Sequence, residues 1–355
     1  MIDFIMIKPV NLLQCLFIFL GIFGTLLLWG QKRLQGVAAL LLYYSVLMLL
    51  NLLEELNITK PLFFITPALT LLLGPILYFM SRQMVGFYFQ ANWRVICHIV
   101  PTLMALPFTH HTQVVIAIAT ISQLIYIYQS EKLLNKFNWS IFNTRSDAEN
   151  LQLCWLNYTL MMLAFIFIID LVRLNVRSLT SEVVYYHWYF IDLALIFCIL
   201  CFMVLRLSRQ SQLNGQAEPP AISDTVHLHK TLEELNNSEL AQKLFDEIHQ
   251  AVMADSLYLQ AKLSVNDICA RTQIKTKDIS WAINTATNKN FNDYVNELRV
   301  KEVQKQLSAR RSSQYTLLDI AFNAGFNSKS AFNSAFKRFT NMTPSAYAKL
   351  HTRGE

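Results

Sequence analysis

Near the C-terminus the sequence places a cluster of short polar and basic side chains on one helical face. Lys329, Ser330, Asn333 and Ser334 recur at helical spacing and lead into Lys337 and Arg338, while Phe332 and Phe336 mark the opposite, apolar face. Ammonium and guanidinium groups beside hydroxyls and a carboxamide donate to phosphate oxygens and base edges. They make neither a nucleophile–base pair nor a metal shell. The neighbouring residues are those needed to hold such a face in place. Thr316 is suited to cap a preceding helix, whose apolar side is Leu317, Ile320 and Ala321. Gly325 supplies a left-handed turn residue and Phe326 plugs that turn into a core. The second helix begins near Asn327 or Ser328 and ends at Asn341, which tolerates the left-handed region, and Pro344 with Ser345 opens another helix. An apolar-backed helix with a polar, basic front set after a Gly turn meets the requirements of a major-groove reader.

The run GFNSKSAFNSAFKRFTNMTPSAY resembles the second helix-turn-helix of AraC/XylS-type transcription regulators. There the pattern runs Ile-Ala, a Gly-Phe turn, Phe, Phe-Lys-Arg, then Thr-Pro and an aromatic; Asn341 stands where that family usually has Gly. Asp267-Ile268-Cys269 answers to Asp319-Ile320-Ala321 fifty-two residues later, so the tail reads as a degenerate tandem repeat. Between the two units, Phe291 to Arg299 resembles the family's linking helix, with Val295, Leu298, Val303 and Leu307 inward. The resemblance implies that two reading helices enter successive major grooves of double-stranded DNA. Carried over by position, the first-unit contacts are Lys277, Ser280 and Trp281, and the second-unit contacts are Lys329, Ser330, Asn333 and Ser334. Arg299, Arg310, Arg311, Lys337 and Arg338 would meet the phosphate backbone. RNA polymerase is a partner by the same resemblance, and activation is the family's habit. The first unit departs from the pattern: Gln273 replaces the turn Gly, Lys275 a capping Ser with Thr276 as its substitute, and Trp281 a site often occupied by Arg.

The rest of the chain is of another kind. At 355 residues, 54% hydrophobic, with mean hydropathy +0.32, it is too apolar for an ordinary soluble two-domain protein. Charge is uneven, with a net +4 over 1–211, −6 over 212–256 and +8 over 257–355, so the basic excess sits in the tail. Cys198 and Cys201 have redox or zinc spacing, but they lie in an apolar run without a second pair and read as packing residues. His110-His111 lacks a third ligand. No metal or other cofactor is expected and no enzyme is visible.

Seven apolar stretches, about 10–29, 37–53, 62–80, 93–108, 114–128, 151–169 and 183–205, reach or approach the roughly 20 helical residues that cross a bilayer. The expected fold is therefore all-α: a seven-helix transmembrane domain followed by a double helix-turn-helix domain. Basic residues collect on one side of the spans (Lys32, Arg33, Arg82, Arg94, Lys132, Lys136, Arg145, Arg206, Arg209). This orients the N-terminus outside a bacterial inner membrane and everything after residue 206 in the cytoplasm. Asp192 inside the seventh stretch, Asp170 and Arg173 after the sixth, and His98 in the fourth are the candidates for receiving a small-molecule, proton or membrane signal; the alternative is that each is paired or solvated.

The expected division is 1–207 for the membrane domain, 208–225 for a flexible linker, 226–256 for an acidic amphipathic helix and 257–355 for the DNA-binding domain. Leu240, Leu244, Ile248 and Val252 form a stripe that serves either to pair two copies of the chain or to pack on the first DNA-binding unit. The sequence thus reads as a membrane-embedded one-component transcription regulator. A membrane scaffold whose tail binds a protein partner is the alternative, and a transporter or enzyme with DNA-linked control a more distant one.

Overall fold

The computed structural model describes residues 8–59, 64–87, 93–213, 234–308 and 316–352. These form helices and turns, with one isolated antiparallel bridge between Arg145 and Ser264. The chain divides into two compact units, Met1–Asn135 with Leu153–Ala221, and Lys136–Gln152 with Ile222–Glu355.

The first unit contains α1 (Pro9–Leu28), α2 (Gln35–Glu55) and α3 (Leu73–Met84), the first part of α4 (Thr112–Thr144), then α5 (Cys154–Asn175) and α6 (Glu182–Leu213). Pro9 opens α1 at a position where a helix needs no N–H. Helices α1 and α2 lie against each other so closely that a methyl group at Gly21 would overlap the Ser45 hydroxyl and the Leu41 carbonyl. Small residues permit such approach where lipid gives helices no hydrophobic reason to associate. The outward faces are apolar: Leu26 is 76% exposed and Phe19 69%. Water would oppose that arrangement and hydrocarbon would not.

Among the described residues, five helices are long and apolar enough to cross a membrane: α1, Lys32–Glu55, α4, α5 and Glu182–Ser208. The other two of the seven expected stretches take different forms. Stretch 62–80 becomes a short helix Thr66–Leu69, a 3-10 turn Thr70–Leu72 and then α3. Stretch 93–108 becomes Trp93–Cys97, Val100–Ala105 and Leu106–Phe108, broken beside Pro101 and Pro107, each of which removes a backbone donor. The count of seven is therefore not reproduced as seven continuous helices. In α4 helicity also outlasts hydropathy, running sixteen residues past Tyr128 to Thr144.

The second unit holds α7 (Glu234–Ala254), α8 (Val265–Thr272), α9 (Thr276–Thr287), α10 (Phe291–Ser308), α11 (Leu317–Asn323), α12 (Lys329–Thr340) and α13 (Pro344–Thr352), together with the last turns of α4. It has two cores. Ile248 and Val252 of α7 join Val265, Ile268, Ile279, Ile283, Phe291 and Val295 in one. Val300, Val303, Ile320, Phe326, Phe332 and Phe336 make the other. Helix α10 contributes to both, as a linking helix must. The α7 stripe packs on the first helix-turn-helix through Leu244, Ile248 and Val252, leaving Leu240 51% exposed. A contact between His249 Nδ1 and Tyr294 Oη at 2.8 Å ties α7 to α10.

Candidate nucleic-acid interface

Both candidate reading helices, α9 and α12, are fixed by local chemistry. In the second unit the Thr316 hydroxyl accepts from the Asp319 N–H at 3.1 Å, and the Asp319 carboxylate accepts from the Thr316 N–H at 2.8 Å, a reciprocal cap that starts α11. Gly325, at φ +93°, turns the chain so that Phe326 enters the core at 2% exposure. Ser328 caps α12 by accepting from the Ala331 N–H at 3.2 Å, and Asn341 at φ 56° ends it. Thr316 holds Asp319 below the usual carboxylate range through its hydroxyl first and its N–H second. A depressed carboxyl contributes stability above its unfolded pKa, ~3.9, and loses it as pH falls through the lower folded value. Thr316→Ala is expected to return the Asp319 titration, followed by carboxyl NMR shifts, toward the ordinary range.

In the first unit Gln273 takes the left-handed conformation expected of it, at φ 61°. Thr276 is the first residue of α9 rather than its cap; Lys275 occupies the capping position without a side-chain bond. Ile279 and Ile283 are buried as the pattern requires. Trp281 is partly buried and packs against the first core.

The expected DNA contacts separate into groups. Lys277, Lys329, Ser330, Asn333, Ser334 and Lys337 are exposed along α9 and α12. Ser280 is half-buried, and its hydroxyl donates to the Asn143 carbonyl at 3.3 Å. Arg338 pairs with Asp293 of α10. Arg310 and Arg311 lie outside the described residues. Arg299 is a correction: it does not face solvent but is 1% exposed. Its Nε donates to the Tyr258 carbonyl at 2.8 Å and one terminal nitrogen to the Gln260 carbonyl at 2.6 Å, with the guanidinium 5.8 Å from the Phe326 ring centre. Burial pushes its pKa down to about 10, partly offset by Asp147, so it remains charged near neutrality. The sequence shows the charge of Arg299 but carries no local mark of its burial.

The segment between the fifth and sixth apolar stretches completes this unit. The Ser146 N–H donates to the Leu263 carbonyl at 2.9 Å. Asn292, fully buried, donates to the carbonyls of Arg145 and Ser146 at 3.2 and 3.0 Å. Arg299 donates to the Ser146 hydroxyl at 3.0 Å. Glu149 hydrogen-bonds to Ser334 and faces Arg338; burial raises its carboxyl pKa, and both partners oppose the rise.

In the first unit, three of the four candidate signal residues come together. Arg173 donates to Asp170 at 2.6 and 2.8 Å, and its Nε lies 3.9 Å from Asp192. All three line a cavity of about 380 Å³. His98 is elsewhere, against the Tyr126 hydroxyl and the Phe79 ring. Of the cavity's tyrosines, Tyr185 and Tyr186 read from the sequence as interfacial anchors near a span end, and Tyr44 and Tyr189 carry no local signal that separates them from packing residues.

Comparison with known proteins agrees with the geometry of the tail. A family model described as "Helix-turn-helix domain" matches residues 268–350. The melibiose operon regulatory protein of Escherichia coli strain K12 is 28% identical over 88 residues, 25% of this chain and 28% of that protein. The uncharacterized HTH-type transcriptional regulator YdeC of Bacillus subtilis strain 168 is 28% identical over 96 residues, 27% of this chain and 32% of that protein. The chain thus spans less than a third of the length of these relatives. No solved structure matches.

Proposed function

We propose, from the helix-turn-helix domain matched over residues 268–350 and the apolar helices of the first unit, that this chain is a DNA-binding transcription regulator of AraC type that works from within a membrane. The observation that carries the reading is the pair of core-backed helices, α9 and α12, presenting Lys277, Lys329, Ser330 and Asn333 outward. Short hydroxyl and amide side chains beside lysines suit base edges and phosphates. The exposed apolar faces of α1 and α5 support a bilayer as the surroundings of the first unit, and the bias of basic residues supports a cytoplasmic tail. In this reading Asp170, Arg173 and Asp192 belong to the signal site. A ligand there acts only if it prefers one of two packing states. RNA polymerase is the partner in activation, and a second copy of the chain is a further one.

The test is genome-wide DNA occupancy of the full-length protein in its own cells beside a Lys277→Ala/Lys329→Ala variant that still reaches the membrane. A small set of sharp sites is expected, lost in the variant. No sites with the intact protein, across many growth conditions, would overturn DNA reading and leave the tail a module for protein partners.

A further inference from the structure

The chemistry of the cavity in the first unit is left incomplete by its own side chains. Its wall carries the carboxylates Glu54, Glu55, Asp170 and Asp192 against two guanidiniums, Arg173 and Arg177. Three of the four carboxylates are engaged. Glu54 accepts from the N–H groups of Ile65 and Thr66 at 3.1 and 3.2 Å. Glu55 accepts from Asn11 at 2.8 Å, and Asp170 accepts both Arg173 bonds. Asp192 is different: it is 4% exposed, and its Oδ2 has no hydrogen bond among the described residues. Arg173 Nε, its ion-pair partner at 3.9 Å, donates instead to Asp170. The Tyr44 hydroxyl, on the same wall, is also buried and has no hydrogen bond among the described residues. The remaining wall is apolar, with Leu47, Met48, Ile116, Ile166 and Ile196. An acceptor without a donor, an excess of negative charge and an apolar chamber call for a cation with a hydrophobic body.

We propose that this cavity binds an organic ammonium ion, its N–H groups on Asp192 and its apolar part against the Leu47–Met48 wall. The assignment rests on the sensing role given above to the same residues. The test uses full-length protein in lipid nanodiscs with phenethylammonium as probe and 2-phenylethanol as its neutral counterpart. Thermal stabilisation by the ammonium and not by the alcohol is expected, with an affinity about tenfold weaker in Asp192→Asn, which keeps the side chain's shape. Equal effects of the two probes, no effect of either, or an ammonium effect unchanged in Asp192→Asn would overturn it. DNA occupancy is read separately, so failure here is distinct from failure of the regulator reading.

A different observation carries a second inference. Residues 143–149 touch both reading helices, through the Asn143 carbonyl on Ser280 of α9 and through Glu149 on Ser334 and Arg338 of α12. Between those points Ser146 is held by Leu263, Asn292 and Arg299. Ser280 and Ser334 are two of the positions expected to meet DNA. Glu149 adds a second anionic group, beside Asp293, to the Arg338 guanidinium on the face expected to meet a backbone phosphate. We infer that segment 143–149 and DNA compete for one surface, so that the segment must leave before both helices can read.

The bridge between Arg145 and Ser264 supplies the test, because residues directly opposite in an antiparallel pair are close enough for a disulfide. In full-length Arg145→Cys/Ser264→Cys protein, oxidation is expected to abolish footprints at sites found by occupancy, and reduction to restore them. Each single variant should respond to neither treatment. Footprints that persist in the oxidised, cross-linked protein would overturn the competition, and failure of the pair to cross-link under mild oxidation would overturn the docking itself.

Discussion

Arg299→Ala is expected to destabilise the second unit by about 3–5 kcal/mol, the range seen when one partner of a buried charged network is removed. The side chain reaches three separate pieces of chain: the turn at Tyr258 and Gln260, Ser146, and, beneath its guanidinium, Phe326 of the second helix-turn-helix. Alanine would leave the buried Tyr258 carbonyl without its donor, at a cost of about 1–3 kcal/mol, while the Gln260 carbonyl would keep the Leu263 N–H at 3.2 Å. Arg299→Lys should recover little, since one ammonium cannot reproduce a planar fork that serves carbonyls in different directions. Hydrogen exchange of the full-length protein is the measurement: amides of α8 to α12 should lose protection together, while α1 and α2 keep theirs. Unchanged protection in α10 would show that the buried guanidinium is dispensable.

Gly325→Ala should have an effect of similar size for a different reason. Its φ of +93° lies where L-residues are strained. A methyl group there would also stand 2.7 Å from the Tyr258 carbonyl oxygen and 2.8 Å from that of Leu259, both backbone atoms that cannot swing aside. The left-handed conformation alone accounts for roughly 1–2 kcal/mol, and the overlap adds to it. The turn at 257–259 belongs to the first core and Phe326 to the second, so the substitution separates the two helix-turn-helix units before it unfolds either. Footprints should shrink to one half-site, or vanish if neither unit binds alone. A full-length footprint of wild-type affinity would mean that the turn relaxes at no cost to DNA reading.

The parts of the tail that were legible in its sequence are those governed by neighbouring residues. Thr316 with Asp319, Gly325, Ser328 and Asn341 each specify a cap or a left-handed turn within a few positions, and each behaves accordingly. Arg299 was misread because nothing local distinguishes a solvated arginine from one that hydrogen-bonds to carbonyls thirty-nine and forty-one residues away. The grouping of Asp170, Arg173 and Asp192 was partly legible, as charge near the ends of apolar stretches; the cavity they share was not, because it depends on how α2, α4, α5 and α6 pack. Helix α4 shows the limit of hydropathy as a ruler. Its apolar run ends near Tyr128, but Gln129, Glu131, Lys132, Leu133 and Leu134 are good helix formers and carry the helix on. The contacts of 143–149 span up to 153 positions, beyond any sequence pattern.

Because the second unit is assembled from Lys136–Gln152 and Ile222–Glu355, its two pieces stand in the relation of complementary fragments. A protease cutting once between residues 213 and 234 would sever the peptide chain without freeing the DNA-binding part, since Asn292 and Arg299 would still grip Ser146 on the piece that continues into α4. A nicked protein of this kind should run as two bands in denaturing electrophoresis and yet sediment whole with the membrane fraction. Soluble release would then be a two-key event, requiring both the cut and the departure of the segment.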